Sequence, residues 1–195
     1  MGDMISYTTD DKVSEQDLLD MFALDSVNFS HLESLSPVEQ LREWLGANPD
    51  FYTILRDQHG KLVGYISFIP LKTETYEKFR TGKITDTDIT ANDILAYKQG
   101  EVFDALFNSL NICKKHHNGR AFKILVNAFI QKTLERQARG IMFGRVLADC
   151  VTDDGKRLVC RVGETLPYKS HTQGAVLKEA TMADILKYHS KKAWA

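Results

Sequence analysis

The chain has 195 residues, of which 43% are hydrophobic and 26% charged, enough for one domain with a complete core and inconsistent with disorder. Its formal net charge is −1, so no general attraction to nucleic acid or to an anionic membrane is expected, and any anion site must be local. No stretch nears the ~20 apolar residues of a membrane span, and the N-terminus lacks the apolar run of a signal peptide. A loose lipidation pattern at Gly2 and Ser6 has no basic second signal, because Asp3, Asp10 and Asp11 surround it. Cys113, Cys150 and Cys160 form no Cys-x-x-Cys pair and are odd in number, which suits a reducing compartment and a cytoplasmic protein. His116 and His117 are adjacent and cannot face one ion from a regular helix, so no metal site is expected.

The first element expected is a helix in VSEQDLLDMFALDS, capped by Ser14, with a stripe of Leu18, Leu19, Phe22 and Ala23. A second helix follows in SPVEQLREWL, with Ser36 as N-cap, Pro37 as first helical residue, Glu39 as capping acid and Trp44 on its apolar face. FYTILRD and KLVGYISFI read as a hairpin around Gln58-His59-Gly60, with Pro70 ending the second strand. From Leu71 to Gly100 runs a surface connection with a short helix near Tyr76–Arg80, a stop at Gly82 and the acidic residues Asp86, Asp88 and Asp93. VFDALFNSLNIC reads as a central strand and KKHHNG as a turn. GRAFKILVNAFIQKTLERQARG is a long helix burying Phe122, Leu125, Phe129, Ile130 and Leu134, and Gly140 stops it. IMFGRVLADCV is a buried strand, KRLVCRVG a short helix and GAVLKEATM a late strand. Together these give one α/β domain, residues 1–195, on a mixed, mainly antiparallel sheet flanked by helices.

The basic turn raises the question of function. A helix N-terminus presents unpaired N–H groups and partial positive charge, and glycine lets an anion approach the backbone closely. Gly119 stands at that point, with Lys114, Lys115, His116 and Arg120 able to add charge. A strand-to-helix turn with solvated lysines accounts for the same stretch.

The order of hairpin, central strand, basic glycine turn, long helix and further strand resembles the GNAT superfamily of N-acetyltransferases over about residues 44–182. His116-His117-Asn118-Gly119-Arg120-Ala121 is similar to the family's Gln/Arg-x-x-Gly-x-Gly/Ala, with histidine in first place. Asn48-Pro49-Asp50-Phe51, Val63-Gly64-Tyr65 and Pro70-Leu71 also resemble stretches of members of the family. The resemblance implies acetyl-CoA or another acyl-CoA as ligand, its pyrophosphate held by the amides from His117 to Ala121. It implies main-chain pairing of the pantetheine arm with Leu110, Asn111, Ile112 and Cys113, where two strands splay apart. It implies direct transfer to an unidentified amine of a small molecule or protein, by a monomer or a homodimer. The tyrosine that many relatives carry four residues before a Gly-Phe pair is absent: aligning on Gly163 puts Val159 there and Glu164 in place of phenylalanine. Cys160 and Tyr168 stand near as substitute acids, and Glu101 and Asp104 as candidate bases near the start of the central strand, each with an ordinary solvated reading beside it. Tyr65 is placed to face an acyl pocket or simply to pack, Cys150 reads as an inert buried thiol, and His171 has no visible partner. The acidic connection, taken as an acceptor-binding edge, favours a cationic amine. The missing tyrosine keeps a second reading open, a non-catalytic acyl-CoA-binding module on the same fold. A lactone synthase or a nucleic-acid module fits less well.

Overall fold

The computed structural model describes residues 6–29, 35–159, 161–170, 172 and 174–191. The Gly2 pattern, Cys160 and His171 lie outside them. Strand β1 (Tyr7–Asp10) leads into helix α1 (Glu15–Asn28), where Ser14 accepts from the Asp17 amide and Asp17 reaches back to the Ser14 amide. Helix α1 turns Leu18, Met21 and Leu24 to the core, while Leu19 is exposed; the inward stripe therefore runs through 18, 21 and 24 rather than through 19 and 22. Helix α2 (Val38–Ala47) begins one residue later than the capping pattern suggests. Pro37, with extended ψ 161°, is itself the cap residue, and no side chain caps this end.

The sheet order is β1-β2-β3-β4-β5-β7-β6, built from β2 (Tyr52–Asp57), β3 (Leu62–Leu71), β4 (Val102–Ile112), β5 (Met142–Cys150), β6 (Glu164–Thr165) and β7 (Val176–Thr181). Every pairing is antiparallel except β4–β5. Pro70 does not end β3 but pairs inside it with Ala105. Strand β2 has already ended there, its last bond running from Phe68 N to Phe51 O, so a missing N–H at Pro70 breaks no ladder. Helix α3 (Thr73–Arg80) stops in a Schellman turn: Gly82, at φ 67°, donates to Phe79 O, and Lys83 donates to Lys78 O.

Two apolar layers sandwich the sheet. Helices α1, α2 and α3 cover one face, where Trp44 is fully buried and donates from Nε1 to Ile89 O at 2.9 Å. Helix α4 (Gly119–Ala138) and helix α6 (Met182–Lys191) cover the other. Helix α4 buries Ala121, Leu125, Phe129, Ile130, Thr133 and Arg136; Phe122 packs at the rim, and Leu134 is exposed, because the stripe continues at 133 and 136 instead. A short helix α5 (Asp153–Val159) follows β5. Strands β1 and β6 and helix α6 are not legible in the sequence pattern. Each is short or depends on what lies beside it: β1 exists only through its pairing with β2 from Tyr7–Asp57 to Asp10–Ile54.

Candidate functional site

Strand β4 carries two irregularities that make the site. Against β3, Ser67 faces Ser109 while Phe68 faces Phe107, so Asn108 is bulged out. Against β5, the parallel pairing runs from Val102–Met142 to Leu106–Leu147 and then stops, and β5 continues beside β7 as far as Cys150–Val176. The strands part at the bulge. Cys113 N donates to Val63 O at 2.8 Å, and the alternation of an antiparallel ladder then directs the main-chain groups of Leu110 and Ile112 to the open side and those of Asn111 toward β3. Ile112 O is already engaged by Asn28 Nδ2 at 3.1 Å.

A cavity of about 410 Å³ opens at this gap, lined by α1, β2, β3, the connection after α3, β4 and the end of β5. Its wall includes Tyr52, Tyr65, Ser67, Asn108 and Ser109, together with the acids Asp25, Asp86 and Asp149. Asp25 is held in place: Tyr65 Oη donates to both carboxylate oxygens, at 2.7 and 2.6 Å, and Asn111 Nδ2 donates to Oδ1 at 2.8 Å. Asn28 Nδ2 in turn donates to Asn111 Oδ1. Burial pushes the Asp25 carboxyl up to about 6, with the Asp86 charge adding to it and the Tyr65 and Asn111 hydrogen bonds opposing it. Burial and the neighbouring Asp25 hold the Tyr65 hydroxyl far above its ordinary range. Asp86 is raised by burial and also by Asp149, which accepts from Ser170 Oγ at 2.6 Å. A carboxylate near neutrality, oriented by two donors on a cavity wall, can accept a proton from an amine. Its sequence signal is present: Asp25 continues the inward spacing of Leu18 and Met21 along α1, an acid on a helix's inner face.

The glycine turn lies beyond the end of β4. After a 3-10 turn at Lys114–His116, Asn118 caps α4 by accepting from Ala121 N at 2.9 Å. Of the amides from His117 to Ala121, those of His117, Asn118 and Ala121 donate within the chain, leaving those of Gly119 and Arg120. Lys114, Lys115, His117 and Arg120 are exposed around them. His116 is not: it is buried, its Nδ1 lies 3.1 Å from Tyr7 Oη, and burial together with Lys115 lowers its basicity, so it anchors β1 rather than adding charge. Gly119 has no positive φ, and a Cβ built there meets nothing within 4 Å. Folding alone therefore does not require glycine at this position. A ligand seated on the two amides would require it.

The other predicted residues fall elsewhere. Glu101 stands just before β4, exposed and paired with Lys98 at 2.8 Å. Asp104 accepts from the Arg145 guanidinium at 2.6 Å and from the Arg145 amide at 2.9 Å. Neither borders the cavity, and the structure does not bring them to Asp25. Tyr168 is exposed and likewise outside the cavity wall, and Val159 packs beside Gly163 with no hydroxyl to offer. Leu110 and Ile112 face α4 with their side chains, Asn111 is buried, and Cys113 is a half-buried free thiol. Among the described residues no group of three or more His, Cys, Asp or Glu is arranged to hold a metal ion, and no helix is long and apolar enough to cross a membrane.

No protein-family model matches the chain, and no curated protein matches it in sequence. Solved structures do match its fold. The loading GNATL domain of CurA from Lyngbya majuscula shares it at a TM-score of 0.63 and 17% identity, over 91% of this chain and 98% of that one. Arabidopsis thaliana Naa50, in complex with the bisubstrate analogue CoA-Ac-MVNAL, shares it at 0.54 and 12%, over 89% and 97% of the two chains. N-acetylglutamate synthase from Neisseria gonorrhoeae, complexed with coenzyme A and N-acetyl-glutamate, matches at 0.52 and 17% over 91% of this chain, which spans 35% of that longer one. The chain thus has the fold of the GNAT acetyltransferases. At these identities the likeness is one of fold.

Proposed function

We propose that this chain is an N-acyltransferase of one domain that moves an acetyl or other acyl group from acyl-CoA directly to an amine. The observation that carries the reading is the parting of β4 and β5 beyond Leu106–Leu147, opening onto a cavity that holds Asp25. The open main-chain groups of Leu110 and the amide of Ile112 suit the amides of a pantetheine arm, and the Gly119 and Arg120 amides, with Lys114, Lys115 and His117 exposed nearby, suit its pyrophosphate. The neutral amine attacks the thioester carbon, a C–N bond forms, the C–S bond breaks and the thiolate leaves. Asp25 accepts the amine proton, directly or through one water, in place of Glu101 and Asp104. The bulge at Asn108 leaves main-chain donors beside the gap for the carbonyl oxygen as charge builds on it. The relatives of this fold bound to coenzyme A support the same donor.

Calorimetry of acetyl-CoA on the wild type and on Gly119→Glu tests the reading. Binding in the wild type and its loss in a folded variant is the expected result; no binding in the wild type refutes it. A second reading, an acyl-CoA-binding module without turnover, is favoured by Val159 in the tyrosine position and by Tyr168 outside the cavity. Thiol release dependent on any amine excludes it.

A further inference from the structure

Resting on that reading, we infer that the acceptor is an aliphatic amine carrying a second cationic centre, whose reacting nitrogen lies at Asp25 and whose distal ammonium lies at Asp86, on the Asp149 side of the cavity. Asp25 and Asp86 line this one space with no Lys, Arg or His among its described lining residues, and Asp149, which accepts from Ser170 Oγ at 2.6 Å, borders it. Asp86 raises Asp25 and Asp149 raises Asp86, so the three sit close enough to feel one another. Several other inward acids are neutralised by cations: Asp17 bonds Arg56 at 2.7 Å, Asp104 bonds Arg145, and Glu179 bonds Arg80 at 2.9 Å. Asp25 is held instead by a hydroxyl and an amide, and Asp86 by the Thr87 backbone N–H at 3.0 Å, all neutral donors. A cationic guest would supply the charge that these donors do not.

A second observation points to a ligand in the same space. Ser67 lines the cavity and is only 1% exposed, and its Oγ, beside the Tyr52 hydroxyl, makes no hydrogen bond of normal geometry among the described residues. Ser109 Oγ, across the β3–β4 ladder from it and near the Tyr65 hydroxyl, is shut away from solvent in the same condition. Buried hydroxyls left without partners cost stability unless something fills the space and bonds to them. Ammonium and amine N–H groups suit the Ser67 hydroxyl oxygen and the carboxylates. At about 410 Å³ the cavity has room for a short diamine or polyamine chain. The aromatic and aliphatic walls of Tyr52, Phe79, Ile84 and Leu177 suit the methylenes between two charges.

Three probes of one length separate the possibilities: 1,4-diaminobutane, butylamine and 4-aminobutyrate differ only in a distal charge that is positive, absent or negative. Acetyl-CoA-dependent thiol release is measured for each on the full chain. The expected order of kcat/KM is diamine over butylamine over 4-aminobutyrate, with at least tenfold between the first two. Asp86→Asn should raise the KM for the diamine at least tenfold and shrink its advantage over butylamine. An equal or reversed order, or a peptide amine without cationic side chains outrunning the diamine, overturns the inference while the acyltransferase reading stands. If acetyl-CoA binds but no thiol is released, calorimetry of the three amines on the CoA-bound protein decides: preferential diamine binding upholds the inference, equal or absent binding overturns it. Absence of acetyl-CoA binding removes the underlying reading, and with it the inference.

Discussion

Replacing Asp25 with asparagine removes the proposed base and keeps its size, so chemistry and stability can be read on one variant. In the wild type the carboxyl moves from an ordinary 3.8 to about 6. Between those values the folded chain holds one proton more than the unfolded chain, so stability falls as pH rises through this window. At ~1.4 kcal/mol per pH unit the loss reaches at most about 3 kcal/mol, or roughly 6–12 °C in Tm for a domain of this size. The asparagine side chain does not titrate. The wild-type Tm minus the D25N Tm should therefore drop by that amount from pH 4 to 6.5, whatever the other groups contribute. For turnover of a cationic amine, log kcat/KM of the wild type should rise with slope two below pH 6, one proton from Asp25 and one from the amine, and slope one above it. D25N should keep slope one throughout and lose about 10²- to 10³-fold near pH 7. A variant that keeps the break near pH 6 refutes Asp25 as the base, and a flat Tm difference refutes its raised pKa.

Three further outcomes are expected. Gly119→Ala should stabilise the free chain by about 0.5 kcal/mol in chemical denaturation, since its Cβ meets nothing, while weakening acetyl-CoA binding roughly tenfold by calorimetry; unchanged affinity would mean the ligand does not approach this backbone. Trp44→Phe should cost about 1–3 kcal/mol, mainly from the volume lost at a fully buried side chain, since Gln40 Nε2 still donates to Ile89 O at 2.8 Å when the indole donor is gone; a near-neutral change would contradict that accounting. Arg56→Met strands Asp17, whose side chain is 6% exposed, and should cost about 3 kcal/mol at pH 7. Burial alone would raise the Asp17 carboxyl, but the Arg56 and Ser14 hydrogen bonds together outweigh it and hold the group below its ordinary range. Its contribution is thus present above 3.8 and fades as pH falls, and the deficit of the variant should shrink below pH 4.

Much of the fold can be read from periodicity and punctuation. The cap at Ser14, the Gly60 hairpin, the apolar β4 and the long α4 are local signals, and each forms where its residues stand, whereas the capping box read at Ser36 and Glu39 does not form. The turn at Gly119, with its cap at Asn118, is legible for the same reason. The side-chain cluster on the cavity wall is not. Asp25, Asn111 and Tyr65 come from α1, β4 and β3 and meet only in the folded chain, and nothing in a single stretch ties them together. Glu101 and Asp104 draw notice because they sit beside a recognisable strand, yet their partners Lys98 and Arg145 hold them at its far end. His116 shows the same limit: its neighbours in the chain are cations, but Tyr7, more than a hundred residues away, turns it inward. Pro70 reads as a strand end only in isolation, since a proline's effect depends on whether a neighbour needs its amide, and here β2 has already ended.

The short seam between β4 and β5 has a kinetic consequence. Four strands on one side and three on the other are stitched together by pairings confined to Val102–Leu106, at one end of the sheet. Spreading the unstitched end breaks no ladder bond and costs only side-chain contacts across the gap, among them those of α3 with β5 and β7 through Glu77–Arg145, Arg80–Glu179 and Tyr76–Glu179. A guest lying along the free edge of β4 would act as the missing strand, lengthening the seam by its own bonds. Hydrogen exchange should register this as slowing at the Leu110 and Ile112 amides when acetyl-CoA is added, with the amides of β2 and β3 already slow in its absence.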